Sequence, residues 1–256
     1  MVTSDNQTPQ IDRNIENYSI KIGDDGEPYI PLDGFPDIKL TQWRISDIDD
    51  LIELYNQPSV SKYAVNRPIP FEKENAAFLY QEIPIHQIYL QQLINNLPNP
   101  PSLENYPKGE ISPFGVIRLT SSPSSSSSSN RLNTQGKLIG TLHIRPSTYS
   151  PQNWEISYYI HPKYTSKGIG KETIKQGLNF MKWLNIKRII AFTAKENIAS
   201  NSVLLKNGFS LYSTHIIDWP EFLGGGKKDV CSWDKYLIPF KGKGPHIVED
   251  PLAVYL

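Results

Sequence analysis

The stretch WEISYYIHPKYTSKGIGKETIKQGLNFMKWLNIKRIIAFTAKENIASNSVLLKNGF, residues 154–209, decides the fold. It begins with a strand-like run, residues 154–160, and passes through a glycine turn at residues 168–170 directly into an amphipathic helix. A short apolar strand at residues 188–193 then leads to a second helix, which ends by residue 209. This order places the N-terminus of a helix beside the end of an open strand, an arrangement that suits a pyrophosphate with a long thin tail.

Composition limits the class of protein. The 256 residues make about one domain once tails and insertions are subtracted. The 26 basic and 26 acidic residues cancel, and no basic helix face is visible, so charge gives no argument for a nucleic-acid or membrane partner. A single cysteine, Cys231, excludes an internal disulfide framework. Because no run reaches the ~20 apolar residues that span a bilayer, we expect a soluble, cytoplasmic monomer or homodimer.

We predict three segments along the chain. Residues 1–36 form a polar N-terminal extension, in which the alternation over residues 18–22 indicates an edge hairpin. Residues 37–240 form the folded domain, and residues 120–136 form a serine-rich insertion loop within it that we expect to be flexible. Residues 241–256 form a C-terminal tail.

The periodicity of the domain predicts an α/β fold with a mixed, twisted sheet of about seven strands flanked by helices. The predicted strands are residues 38–43, 114–119, 137–145, 154–160, 188–193, 209–216 and 230–237. The last two strands are expected to pair antiparallel. A helix that begins at Phe71 is expected to bend near Pro84.

The glycine turn is suited to binding a phosphate group. Gly168 and Gly170 allow backbone amides to approach a phosphate without a Cβ in the way, and the helix dipole adds about 0.3–1 kcal/mol of attraction. Lys167 and Lys171 can supply positive charge. Taken alone, two glycines one residue apart are explained equally well by an ordinary strand-to-helix turn.

In its surroundings, however, the turn resembles that of the GNAT acyltransferase superfamily, and within it the branch of the ribosomal-protein-alanine acetyltransferases. In that family the turn has the pattern [Gln/Arg]-x-x-Gly-x-[Gly/Ala]. The corresponding residues of this chain, 165–170, are TSKGIG. The second family block, an Asn and a Ser before a helix closed by Lys-x-Gly-Phe, is matched by Asn197, Ser200, Lys206, Gly208 and Phe209. The resemblance covers roughly residues 38–237.

The resemblance implies a GNAT-like fold and an N-acetyltransferase that moves an acetyl group from acetyl-CoA directly to a primary amine, on a small molecule or a protein N-terminus. A bulge in the first strand, near residues 158–160, is expected to open a gap for the pantetheine arm of coenzyme A. Thr165 departs from the family's Gln or Arg, which removes one side-chain contact to the pyrophosphate and leaves the backbone cradle. The implied cofactor-binding residues are Tyr158, Tyr159, Ile160, Thr165, Ser166, Lys167, Gly168, Ile169, Gly170, Lys171, Asn197 and Ser200.

Three residues are candidates for the chemistry. Glu155 lies where several family members carry the general base, although a glutamate here can equally pair with an arginine such as Arg145. Ser200 or Asn197 can donate to the departing thiolate, and both can also be explained as helix-capping residues. The five histidines show no metal-ligand spacing, and Cys231 is not an expected nucleophile.

The acceptor amine is expected to meet Tyr55, Tyr63, His143 and Trp219, although aromatic residues in such segments often serve packing alone. The alternative is a non-catalytic protein that keeps the fold and coenzyme A as a sensor or interaction module. A dinucleotide-binding oxidoreductase is disfavoured, because the full three-glycine fingerprint and its acidic residue are missing.

Overall fold

The computed structural model describes residues 20–120, 136–147 and 153–238. Within these ranges nine strands form one sheet, so the prediction of about seven strands is two short. The strands are β1 (Lys21–Ile22), β2 (Pro28–Leu32), β3 (Phe35–Thr41), β4 (Val116–Leu119), β5 (Lys137–Pro146), β6 (Trp154–Ile160), β7 (Arg188–Ala194), β8 (Ser210–Asp218) and β9 (Lys227–Tyr236). The α-helices are α1 (Ile48–Tyr55), α2 (Pro58–Ser61), α3 (Phe78–Asn96), α4 (Ile169–Trp183) and α5 (Ile198–Lys206). None of these helices combines the length and the apolar character needed to cross a bilayer.

The sheet has the order β1-β2-β3-β4-β5-β6-β7-β9-β8. Every neighbouring pair is antiparallel except β6 and β7, which run parallel. A parallel pair needs a crossover connection, and α4 supplies it. The predicted antiparallel pairing of the last two strands is present, with β9 lying between β7 and β8.

The two additional strands lie at the N-terminal edge. β1 pairs with β2 for only two residues, and β2 pairs with β3 across the register Tyr29↔Thr41 to Pro31↔Lys39. The boundary predicted at residue 36 therefore falls inside β3. The division into extension, domain and tail remains a prediction, because the serine run and the C-terminal tail lie outside the described residues.

The helix predicted to begin at Phe71 begins later. Phe71 is buried ahead of it, where its backbone N–H and C=O both bond the side chain of Asn56. α3 starts at Phe78 and runs through Pro84 to Asn96.

Helix α4 packs closely on one face of the sheet because Gly177 carries no side chain. A Cβ at Gly177 would lie 3.2 Å from the terminal carbons of Ile156 and Leu142. The glycine that weakens the helix in isolation therefore brings α4 against β5 and β6. This packing fixes the position of the helix N-terminus relative to the end of β6.

The other face of the sheet is tied to α1 by a buried ion pair. Arg118 on β4 donates to both carboxylate oxygens of Asp47, at 2.7 and 2.9 Å, and also to Thr41 Oγ1. Both charged side chains are only 2% exposed. Asp47 accepts a further bond from the backbone N–H of Arg44, so it holds the segment that leads into α1.

Candidate active site

A cleft opens between β6 and β7. The two strands pair only through Trp154↔Ile189 and Glu155↔Ile190. Beyond that point β6 continues to Ile160 with β5 as its only strand partner, and β7 continues with β9. The two strands therefore separate towards their C-terminal ends, as the resemblance to the GNAT superfamily implies.

The predicted bulge in β6 is wrong. β6 pairs with β5 in one continuous register from Pro146↔Trp154 to Gly140↔Ile160. Bulges occur instead at other ladders, such as β4 with β5 near Ile117. The strands separate where β6 remains paired with β5 and β7 remains paired with β9, and neither of these ladders contains an inserted residue.

The cleft is lined by consecutive residues of β6 and β7. Since alternate residues of a strand point to opposite faces of the sheet, the lining includes side chains from both faces. On the face covered by α4 and α5 it is lined by Ile156, Tyr158, Ala191, Thr193, Asn197, Ser200 and Leu204. On the other face it is lined by Ser157, Tyr159, Phe192, Ala194, Tyr63 and Trp219. The cleft therefore has two ends of different composition, a helical end and an aromatic end.

The glycine turn forms the entrance on the helical side. Ser166 and Gly168 have left-handed backbone angles, φ 61° and 87°, and α4 starts at the next residue. None of the backbone N–H groups of residues 166–171 donates a hydrogen bond to another described residue. A Cβ at Gly170 would lie 3.1 Å from Tyr158 and Ile160, so only glycine lets the helix tip sit this close to β6. The tip thus presents unpaired donors next to the end of the cleft.

The side chains around this turn are exposed. Thr165 donates its hydroxyl to the carbonyl of Pro162, which closes the turn locally. The Lys167 ammonium lies 5.5 Å from the centre of the Tyr164 ring. Lys171 is exposed on the first turn of α4. Both lysines can therefore reach an anion at the helix tip without losing an ion pair recorded among the described residues.

Asn197 and Ser200 lie at the start of α5. The side-chain oxygen of Asn197 accepts a hydrogen bond from the Ser200 backbone N–H, so Asn197 caps the helix. Burial raises the pKa of the Tyr158 phenol to about 12, and the neighbouring Ser200 side chain opposes this rise. Tyr158 is therefore protonated at neutral pH, and it lines the helical end of the cleft together with Ser200.

Glu155 lies on β6 at the closed end, beside the cleft rather than in its wall. One carboxylate oxygen accepts from Ser147 Oγ at 2.7 Å, and the other lies 3.4 Å from Arg145 Nε. The pairing with Arg145 is the alternative that the sequence left open. Glu155 shares a face with Ser157, two residues further along, where the cleft begins.

Tyr55 and His143 are buried behind the cleft and do not line it. His143 Nδ1 lies 3.0 Å from the carbonyl of Glu110, so Nδ1 carries the proton, and Nε2 lies 3.0 Å from Thr141 Oγ1 and 3.3 Å from the Tyr55 hydroxyl. Burial lowers the pKa of His143 to about 3, and burial also raises the pKa of Tyr55. The ring of Tyr159 separates both side chains from the cleft, with centroid distances of 5.4 and 6.2 Å. Tyr55 and His143 therefore do not reach the wall of the cleft, and their contact with the acceptor stays a prediction.

Sequence comparison identifies the family. Residues 37–210, more than half of the chain, match the family described as acetyltransferase (GNAT) domain. The protein belongs to this family. No curated protein sequence matches the chain.

Solved structures of GNAT acetyltransferases share the fold. The ribosomal-protein-S5-alanine acetyltransferase of Vibrio fischeri aligns with a TM-score of 0.55 at 17% identity, covering 81% of this chain and 97% of that one. The spermidine N-acetyltransferase of Vibrio cholerae, solved with CoA and spermine, gives 0.51 at 16% identity and covers 78% and 96%. A phosphinothricin acetyltransferase of Sinorhizobium meliloti, solved with acetyl-CoA, gives 0.52 at 17% identity and covers 82% and 96%.

In this GNAT acetyltransferase the predicted site residues separate into three groups. Of the cofactor candidates, Tyr158, Asn197 and Ser200 line the helical side and the turn lies at its entrance, whereas Tyr159 lies on the aromatic side with Tyr63 and Trp219. Glu155 stands beside the cleft, and Tyr55 and His143 stand behind it.

Sequence reasoning missed several cleft residues, among them Ser157, Phe192, Thr193 and Leu204. The parity of β6 and β7 would have found the first three, since alternate residues of two separating strands must border the gap. Leu204 carries no such signal, because a buried leucine in an amphipathic helix is indistinguishable from core.

Proposed function

We propose that this protein is an acetyl-CoA-dependent N-acetyltransferase that moves the acetyl group directly to a primary amine. The observation that carries the proposal is the cleft between β6 and β7, which leads from a glycine-lined helix tip through the sheet to an aromatic wall. Acetyl-CoA, when bound, supplies a thioester whose carbonyl carbon an amine can attack. The following roles belong to this chain's own residues.

The residues present fit the cofactor. The backbone N–H groups of residues 166–171 have no partner among the described residues and are suited to the pyrophosphate. Lys167 and Lys171 supply charge beside them. Along the separated strands, peptide groups of β6 beyond Glu155 and of β7 beyond Ile190 face the gap without a strand partner, which suits an extended amide-bearing arm.

Proton handling divides between the two sides of the cleft. Ser200, with Tyr158 behind it, donates to the leaving thiolate on the helical side. Glu155 removes the proton of the incoming amine on the opposite side. Two residues along a strand span roughly 7 Å, so Glu155 acts on a group at Ser157 through a bridging water rather than by direct contact.

The cradle is tested by two matched glycine substitutions. Gly168 has φ 87° and Gly26 has φ 76°, and an alanine Cβ would meet no atom closer than 3.6 Å at either position. Both Gly→Ala variants therefore cost about 1–2 kcal/mol of stability through backbone strain alone. Only Gly168→Ala is expected to weaken acetyl-CoA binding, about tenfold or more in isothermal titration, because only it disturbs the amides at the helix tip.

Equal affinities in the two glycine variants would contradict the cradle. A thioester-consumption assay over a panel of amines then tests the transfer itself. Acetyl-CoA binding without turnover on any amine would favour a sensor and overturn the enzymatic proposal.

A further inference from the structure

The acceptor end of the cleft is aromatic. Tyr63, Tyr159, Phe192 and Trp219 line it on the face opposite α4. Trp219 is 5% exposed and belongs to a small apolar cluster against which Tyr63 and Phe192 pack. The body of a molecule whose amine enters this end therefore rests on rings and aliphatic carbons.

No charged side chain is among the described residues that line the cleft. Three acids on the surrounding segments already have cationic partners. Glu155 pairs with Arg145, Glu110 lies 3.0 Å from Arg67, and Glu196 lies 3.1 Å from Lys228. A second ammonium group on the acceptor would therefore find no carboxylate in the described wall.

Cations of the protein already lie over the aromatic wall. The Lys62 ammonium lies 4.7 Å from the centre of the Tyr63 ring, and the Lys228 ammonium lies 4.5 Å from the Trp219 ring. Each occupies one ring face that could otherwise attract a ligand cation. They also repel positive charge at the rim, so the electrostatics of this end oppose a polycation.

We infer that the acceptor is a small monoamine with an apolar alkyl or aryl body and no second positive charge. This inference rests on the proposed transfer at the cleft. The amine to be acetylated loses its proton and is neutral when it attacks, whereas a second ammonium would stay charged and be desolvated without a partner. Selectivity against diamines thus arises from a missing counter-ion.

The main comparison is between two amines of equal length that differ by one charge. At saturating acetyl-CoA, kcat/KM is measured for this matched pair, hexylamine and 1,6-diaminohexane, and also for phenethylamine as an aryl monoamine and spermidine as a polyamine. We expect each monoamine to be preferred about 100-fold or more, the size of effect that one unpaired buried charge produces. Equal or better use of the diamine or of spermidine would overturn the inference, as would a peptide with a free N-terminus outcompeting both monoamines.

A charge introduced into the wall provides the second arm. Phe192→Glu gives a second ammonium its partner and should lower the hexylamine-to-diaminohexane ratio about tenfold or more, whereas Phe192→Leu keeps the ratio high. Ser157→Glu places a carboxylate in the same wall at an exposed position and serves if Phe192→Glu does not fold. A ratio that neither carboxylate changes would contradict the argument.

Failure of this inference is distinguishable from failure of the proposed function. Turnover that prefers diamines overturns the acceptor class alone. Absence of acetyl-CoA binding by titration, or of turnover on every amine, overturns both.

Discussion

Acidification is expected to destabilise the protein through two buried histidines. His86 on α3 is 3% exposed, and neither of its ring nitrogens has a hydrogen-bond partner among the described residues. Burial lowers its pKa to about 4, and burial with the nearby Arg67 charge lowers the pKa of His143 to about 3. Both histidines bind a proton more readily in the unfolded chain, where the pKa of the side chain is 6.5.

The sign and the size follow by linkage. A histidine whose folded pKa is depressed contributes its full stability above the unfolded value, and this stability is lost as the pH falls below 6.5. At pH 5, which is 1.5 units below the unfolded pKa, protonation of each histidine stabilises the unfolded state by about 2 kcal/mol, since one pKa unit corresponds to about 1.4 kcal/mol. Between pH 7.5 and 5.0 the free energy of unfolding should therefore fall by about 4 kcal/mol. This is a large part of the total free energy of unfolding, which is usually about 5–15 kcal/mol.

Urea unfolding at 25 °C and pH 7.5, 6.0 and 5.0 measures this loss. His86→Leu should remove about half of it and should be neutral or stabilising at pH 7.5, since no hydrogen bond is lost. The carboxylates with lowered pKa, Asp33 and Glu53, titrate below this window. A stability that is flat with pH, or an undiminished loss in His86→Leu, would refute the reasoning.

Two further predictions concern the site and the core. Glu155→Gln should lower kcat/KM about 10²–10⁴-fold at neutral pH with little change in acetyl-CoA affinity, and retained activity would exclude Glu155 as the base. Arg118→Met or Asp47→Leu should each cost about 3–5 kcal/mol in urea unfolding, because each leaves the charge of the other residue buried without its partner. The double variant Asp47→Leu/Arg118→Met should cost clearly less than the sum, and additive losses would show that the two side chains do not act as a pair.

The central β6–turn–α4–β7–α5 unit could be predicted from sequence because its signals are local. Apolar runs with strand length, glycines at the turn and helical spacing each occur within a few residues of one another. β2 was missed for an equally local reason. Its sequence PYIPL contains Pro28 and Pro31, which argue against a strand unless it lies near an edge, where a missing N–H costs little.

Candidate site residues were less predictable because their roles depend on contacts distant in sequence. Tyr55 on α1 meets His143 on β5 across 88 positions, and nothing in either segment indicates that Tyr159 will cover both. Glu155 could be placed on its strand, but whether it faces solvent or Arg145 depends on the β5 register. Parity along a strand is readable from sequence, whereas the identity of the neighbour is not.

The sheet itself divides the cleft into two compartments. The helical compartment comes from one continuous stretch of chain, β6 through α5, whereas the aromatic wall gathers Tyr63, Phe192 and Trp219 from three separate places in the sequence. Substitutions in the segments around Tyr63 and Trp219 can reshape one compartment without moving the helix tip. The acceptor specificity of such a scaffold can therefore change during evolution while the compartment proposed for the acetyl donor is retained.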